Sequence, residues 1–177
     1  MNIIVETDNL IIRDVEFDDY EFFLESERNP EVIRFFSINE GRTYEQVVTE
    51  AFAFRYDDNV MDLTIAHKGS GEPLGRIIIS RIDNHYKSLD LTKIYVGGNY
   101  RGKGIGREAI KGILKYCFCD LGMERVTLDY YTGNERAAKL YRELGFKDEG
   151  RARHATLKDG VFYDLNIMSI LSDEYFG

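Results

Sequence analysis

LDLTKIYVGGNYRGKGIGREAIKGILKYCFCDL, residues 89–121, sets the architecture of the chain. The stretch begins as a strand over 89–96, breaks at Gly97-Gly98, turns basic and glycine-rich over 101–106, and continues as a helix. Apolar or small residues fall at Ile105, Ala109, Ile110, Ile113, Leu114, Cys117, Phe118 and Leu121, the three-and-four spacing of a helix with one buried face. Strand, glycine loop and helix together make a general phosphate site. The first N–H groups of a helix lack intrahelical partners, the helix dipole favours negative charge there, and glycine lets the backbone approach closely. The first expectation is therefore a phosphate-bearing ligand on residues 101–106.

Downstream, Gly122 is a helix stop, and RVTLDYY at 125–131 is a strand reached by a strand–helix–strand crossover. Such a crossover makes the two strands parallel. Asn134 caps a short helix over 135–144 that stops at Gly145, and strands at 146–153 and 161–171 flank the turn Lys158-Asp159-Gly160. Upstream, residues 10–13 read as a strand, and Asp18-Asp19 opens a first helix that Asn29-Pro30 interrupts. Residues 31–36 form a helical turn, and Thr43 with Gln46 resembles a capping box for a helix ending near Arg55. Strands at 61–68 and 74–82 join through Gly69-Ser70-Gly71-Glu72-Pro73, and the run Ile77-Ile78-Ile79 implies cover on both faces. Phe22, Phe23, Phe35, Phe36, Phe52 and Phe54 are expected in the core, although an acidic, aromatic-rich N-terminal third could also wall a substrate pocket. The sum is an α/β (α+β) fold: a mixed, mostly antiparallel central sheet with one parallel strand pair and helices on both faces.

Size and composition fit one domain over residues 1–177. An apolar fraction of 44% and a charged fraction of 31% suit a soluble globular chain, and no apolar run is long enough for a membrane span. The first ten residues lack the basic and apolar segments of a signal peptide, and Cys117 and Cys119 are too few and too close to staple a fold, so cytoplasm is expected. A net charge of −8 argues against general nucleic-acid binding; it serves solubility and also suits a cationic partner. His67, His85 and His154 are scattered, and no metal site is expected.

The central loop matches neither a Walker phosphate loop, which needs GxxxxGK followed by Ser or Thr, nor a dinucleotide fingerprint, which needs GxGxxG after a first strand. Arg101-x-x-Gly104-x-Gly106 instead resembles the acetyl-coenzyme A signature of the GNAT superfamily of N-acetyltransferases, Gln/Arg-x-x-Gly-x-Gly/Ala. About thirty residues on, NERAAKLYRELGF at 134–146 resembles that superfamily's second motif, N-x-x-A-x-x-x-Y-x-x-x-G-F. LIIRDVEFDDYEFF with NPEVIRFF, and DGVFYDLNIMSIL near the end, look like the branch holding ribosomal-protein N-terminal and spermidine acetyltransferases.

The resemblance implies a GNAT fold in which the parallel strands splay, with acetyl-coenzyme A as co-substrate. Backbone amides of Arg101, Gly102, Lys103, Gly104, Ile105 and Gly106, with Arg107 beside them, would hold the pyrophosphate. Ile94, Tyr95 and Val96 would pair with the pantetheine arm, an N–H near Val96 polarising the thioester carbonyl. Asn134, with Arg136 and Ala137, would meet the cofactor, and Tyr141 would protonate the departing thiolate. The acceptor would be a small-molecule amine or a protein N-terminal amine, and a homodimer is possible. An alkyl ammonium titrates near 10.4, so its proton needs an acceptor; Asp90 and Glu40 are the candidates, beside water. Gly97-Gly98 replaces the Asp-Pro or Ala-Pro of relatives and could loosen the loop, and Lys93 places a cation where a polyamine would be disfavoured. A catalytically weak acyl-coenzyme A-binding regulatory module is thus the second reading beside an N-acetyltransferase.

Overall fold

In the computed structural model, which describes residues 2–177, the glycine loop lies between a strand and a helix. The strands are β1 (Ile3–Glu6), β2 (Leu10–Asp14), β3 (Met61–His67), β4 (Pro73–Asp83), β5 (Ser88–Val96), β6 (Arg125–Tyr131), β7 (Lys147–Lys158) and β8 (Val161–Leu171). The helices are α1 (Asp19–Arg28), α2 (Pro30–Ile33), α3 (Tyr44–Arg55), α4 (Ile105–Lys115), α5 (Glu135–Glu143) and α6 (Ser172–Phe176). Local chemistry sets the ends. Thr43 and Gln46 close a capping box on α3, Asn29 caps α2 with Pro30 in its first turn, and Gly145 ends α5 at φ +95°.

The sheet has 8 strands in the order β1-β2-β3-β4-β5-β6-β8-β7. All pairs are antiparallel except β5–β6, which the crossover through α4 makes parallel. That pair touches only at Ser88↔Arg125, Leu89↔Val126 and Asp90↔Thr127. Beyond Asp90 the two strands part, and the fork between them opens toward the glycine loop. This is the splayed pair expected for the GNAT fold.

One sheet face packs on α4 and α5, where Ile77, Ile79, Leu89, Leu91, Val126 and Leu128 meet Ile110, Ile113 and Ala138. The other face is covered over β3–β5 by α1 and α3, which bury Phe23, Val47 and Ala51. A bulge places Leu91 opposite Ile79 but Lys93 opposite Ile78, leaving Thr92 as the extra residue. Leu91 and Ile94 therefore face α4, while Lys93 and Tyr95 turn toward α1.

Gly97 and Gly98 receive the turn between α1 and α2. A Cβ at Gly97 would lie 2.7 Å from the Phe22 ring, and one at Gly98 would lie 2.6 Å from the Asn29 amide. The two glycines thus tighten this junction, where a loosened loop was expected. Gly97→Val should cost about 1–3 kcal/mol by overpacking, read as a lower urea midpoint; an unchanged midpoint would show that Phe22 yields freely.

Several expectations are revised. β1 and α6 carry no strong local signal and were not anticipated; β1 is held by Ile4 and Val5 packing on the main core. The helix after the loop ends at Lys115 and continues as a π-helical turn, Tyr116–Asp120, in which the Leu121 N–H donates to the Tyr116 carbonyl at 3.0 Å. Of the six phenylalanines, only Phe23 is fully buried; Phe52 is 48% exposed, and Phe35 and Phe36 turn to the cleft described next.

Candidate active site

A cleft of about 720 Å³ is enclosed by the end of β5, the glycine loop with the start of α4, α5 with its cap, and α2 with the segment after it. Ile94, Tyr95 and Val96 line it from β5, and Arg101, Gly102, Gly104, Ile105, Gly106 and Arg107 from the loop and the first turn of α4. Asn134, Arg136, Ala137 and Tyr141 line it from α5 and its cap. Lys103 is the one cofactor candidate outside the lining; its ammonium sits 5.6 Å from the Tyr100 ring centroid.

The loop is built to expose amides. Gly102 and Gly104 take φ of +82° and +83°, a left-handed conformation costly for other residues. Gly104 caps α4 with no side chain across the helix end. The first helical bond past it runs from the Glu108 N–H to the Gly104 carbonyl, and the N–H groups of residues 102–107 find no acceptor among the described residues. Row after row of donors at a helix start, with Arg101, Arg107 and Arg136 around them, is the chemistry a pyrophosphate requires. The cations are positioned from outside the loop. Arg101 donates to the Glu31 carbonyl at 2.8 Å, and Arg107 forms an ion pair with Glu143 on α5.

Asn134 uses its side-chain carbonyl to cap α5, accepting from the Ala137 N–H at 3.2 Å. Its amide nitrogen remains free to donate into the cleft among the described residues. Tyr141 lies between the rings of Tyr130, at 5.9 Å, and Phe146, at 5.8 Å. Its hydroxyl has no hydrogen-bond partner among the described residues. Burial first, then the nearby Asp129 charge, push its ionisation up to about 12. The group is a proton donor at every ordinary pH.

Neither sequence candidate for the base lines the cleft. Glu40 is exposed on the loop before α3, and its own N–H donates to Asp159 at the β7–β8 turn, 3.4 Å away. Asp90 occupies the last paired rung of the fork and is held by Arg81 at 3.2 Å; burial raises its ionisation. Leu91, opposite Ile79, faces the α4 core, so Asp90 faces away from it.

Lys93 also changes meaning. Its ammonium lies under α1 and α3, 3.6 Å from Glu50 and 3.9 Å from Glu27, and lines no part of the cleft. Burial holds its ionisation below the usual lysine range, which Glu27 and Glu50 offset only in part. Its charge is answered inside the protein, which removes the objection to a cationic acceptor and one ground for a catalytically weak module. Glu27 further accepts from the Tyr95 hydroxyl at 3.1 Å and from Arg76 at 2.9 Å.

Glu31, Tyr100 and Glu143, which sequence reasoning passed over, stand in the cleft wall with Phe35 and Phe36, which it placed in the core with a pocket wall as the other reading. Phe36 packs edge-on against Tyr95 at 6.1 Å.

Residues 9–147 match the family model of the acetyltransferase (GNAT) domain. The uncharacterized N-acetyltransferase YoaA of Bacillus subtilis is 27% identical over 171 residues, covering 95% of this chain and 96% of the relative. A spermidine N(1)-acetyltransferase of Vibrio cholerae is 23% identical over 166 residues, covering 94% of this chain and 95% of the relative. The crystal structure of spermidine N-acetyltransferase from Vibrio cholerae in complex with CoA and spermine superposes with a TM-score of 0.86. It covers 97% of this chain and 100% of that one at 21% identity, a likeness of fold.

Proposed function

The chain belongs to the GNAT acetyltransferase family, the acetyl-coenzyme A-dependent N-acetyltransferases, and from that membership we propose that residues 1–177 act as one domain that acetylates a primary amine by direct attack in a ternary complex. The observation that carries the reading is the Tyr141 hydroxyl, without a protein partner, in the same cleft as the unclaimed amides of residues 102–107. One end of the cleft suits the donor's pyrophosphate, and the other offers an acid to its sulfur. Coenzyme A supplies the activated thioester when bound. Ile94 to Val96 lie along the fork, where they can pair with an extended arm as a strand would. A neutral amine attacks the thioester carbonyl, the carbon–sulfur bond breaks, and Tyr141 protonates the thiolate.

Polyamines, which are acceptors by name in the spermidine acetyltransferases, and protein N-terminal amines both fit this scheme. With Lys93 neutralised by Glu27 and Glu50, a cationic acceptor is the reading favoured for this chain. Calorimetry should show one coenzyme A site per chain, and an amine panel followed by thiol release should show turnover with alkyl amines. Absence of coenzyme A binding would reject the donor assignment. Binding with no thiol release on any amine would favour the regulatory module.

A further inference from the structure

Two carboxylates stand in the cleft wall among the described residues, Glu31 and Glu143, and both meet arginines of the donor end. Glu31, from α2, lies 3.8 Å from Arg101, whose firmer hold is the Glu31 carbonyl. Glu143 stands at the end of α5. Its carboxylate pairs with one guanidinium nitrogen of Arg107 and lies 4.0 Å from the Lys139 ammonium. The Arg136 guanidinium, in the same wall, joins no hydrogen bond or ion pair among the described residues. The wall therefore offers one arginine outright and another that a carboxylate already answers.

Helix electrostatics say why the second pair is there. Arg107 occupies the first turn of α4, where the positive end of the dipole disfavours a cation. Glu143 ends α5, where the negative end disfavours an anion. Neither charge serves its own helix. Arg107 is placed for an anion in the cleft, and Glu143 is placed for Arg107. The guanidinium in turn holds the Glu143 carboxyl below the usual range, so it is an anion at neutral pH. The two side chains are 43% and 39% exposed, so water and salt screen the pair and parting it costs little. Arg107 gives Glu143 one guanidinium nitrogen and can give a phosphate two in a forked contact, so the exchange runs toward phosphate, at a cost.

That cost has a use. Donor and product differ at the sulfur and carry the same phosphates. A phosphate contact therefore grips both alike, adds nothing to the chemical step, and delays departure of the product when it is too strong. We propose that Glu143 competes with a donor phosphate for Arg107, weakening coenzyme A binding and speeding its release; the inference rests on the donor assignment above. Glu143 acts through Arg107 and is a positioning residue rather than a catalytic one.

The test is calorimetry of coenzyme A with the unaltered protein, Glu143→Gln, Arg107→Gln and the double variant, with stopped-flow displacement for the dissociation rate. Glutamine keeps the shape of Glu143 and removes its charge. Glu143→Gln should bind coenzyme A about three- to fivefold more tightly, the scale of an exposed ion pair, with most of the change in a slower dissociation. Arg107→Gln should bind more weakly, and adding Glu143→Gln to it should recover nothing, because the competitor has lost its target. Unchanged or weaker binding in Glu143→Gln would overturn the proposal, the weaker result making Glu143 a support that presents Arg107. An equal gain in the Arg107→Gln background would overturn it as well, since Glu143 would then act by its general field. The donor assignment stands in each of these cases. No binding of coenzyme A by the unaltered protein would instead overturn that assignment, and this inference with it.

Discussion

Tyr141→Phe is expected to lower kcat about a hundredfold while moving KM for acetyl-coenzyme A little. The size follows from what the hydroxyl does and does not touch. It has no protein partner among the described residues, so its removal breaks no internal hydrogen bond. The ring remains between Tyr130 and Phe146, so packing is conserved. Nor does the hydroxyl belong to the loop proposed to hold the pyrophosphate, so ground-state affinity for the donor should survive. What is lost, on the proposed mechanism, is a proton donor for the departing thiolate. Burial holds that donor protonated up to about pH 12, so no pH within an ordinary assay can restore or mimic the defect. Thiol release at saturating donor and acceptor, with a single-turnover measurement to isolate chemistry, reads the effect. An unchanged single-turnover rate would remove Tyr141 from the mechanism. A loss confined to KM would make it a binding residue.

The second large effect concerns stability. Arg76 has 0% side-chain exposure and meets Asp62 through two hydrogen bonds, of 2.8 and 2.7 Å, and Glu27 through a third of 2.9 Å. Glu27 is itself fully buried and also faces Arg42 at 2.6 Å. Burial works against the Arg76 charge, and Asp62 and Glu27 more than offset it, raising its ionisation. Burial likewise raises the Asp62 carboxyl, although Arg76 pulls it down. The ions therefore depend on one another. Arg76→Ala should cost about 3–5 kcal/mol, because it leaves the Asp62 carboxylate without its cationic partner and removes one of the two arginines that answer the buried Glu27. Urea unfolding at neutral pH should show a lower midpoint with an unchanged slope. Combining Arg76→Met with Asp62→Asn and Glu27→Gln should recover much of the loss, since the cost comes from orphaned charge. A wild-type midpoint for Arg76→Ala would show that water reaches the cluster.

The legibility of this chain in its sequence tracks contact range. The β5–loop–α4–β6 unit was readable because glycine spacing, helical periodicity and the crossover rule all act within forty or so residues. The capping box at Thr43 and the stop at Gly145 were readable for the same reason. Lys93 was misread because its partners, Glu27 and Glu50, are far away in sequence and reach it only through the packing of α1 and α3. The Thr92 bulge adds to this, since one extra residue reverses which face each later side chain meets. Phe35 and Phe36 were placed in the core with a pocket wall as the other reading, because nothing local decides between the two.

The outer strand, β7, bears on a different property. Among the described residues it pairs with β8 alone, and no strand lies on its other side. A long open edge invites another chain to add a strand. Here the edge carries Lys147, Asp148, Glu149, Arg151 and Arg153, and register shifts fall between Asp148 and Gly150 and between Ala152 and Thr156. Charge makes an incoming apolar strand unwelcome, and the two irregularities spoil the hydrogen-bond spacing it would need. The sheet thereby resists edge-to-edge aggregation, and replacing these charges by alanine would trade colloidal stability for no gain at the candidate site.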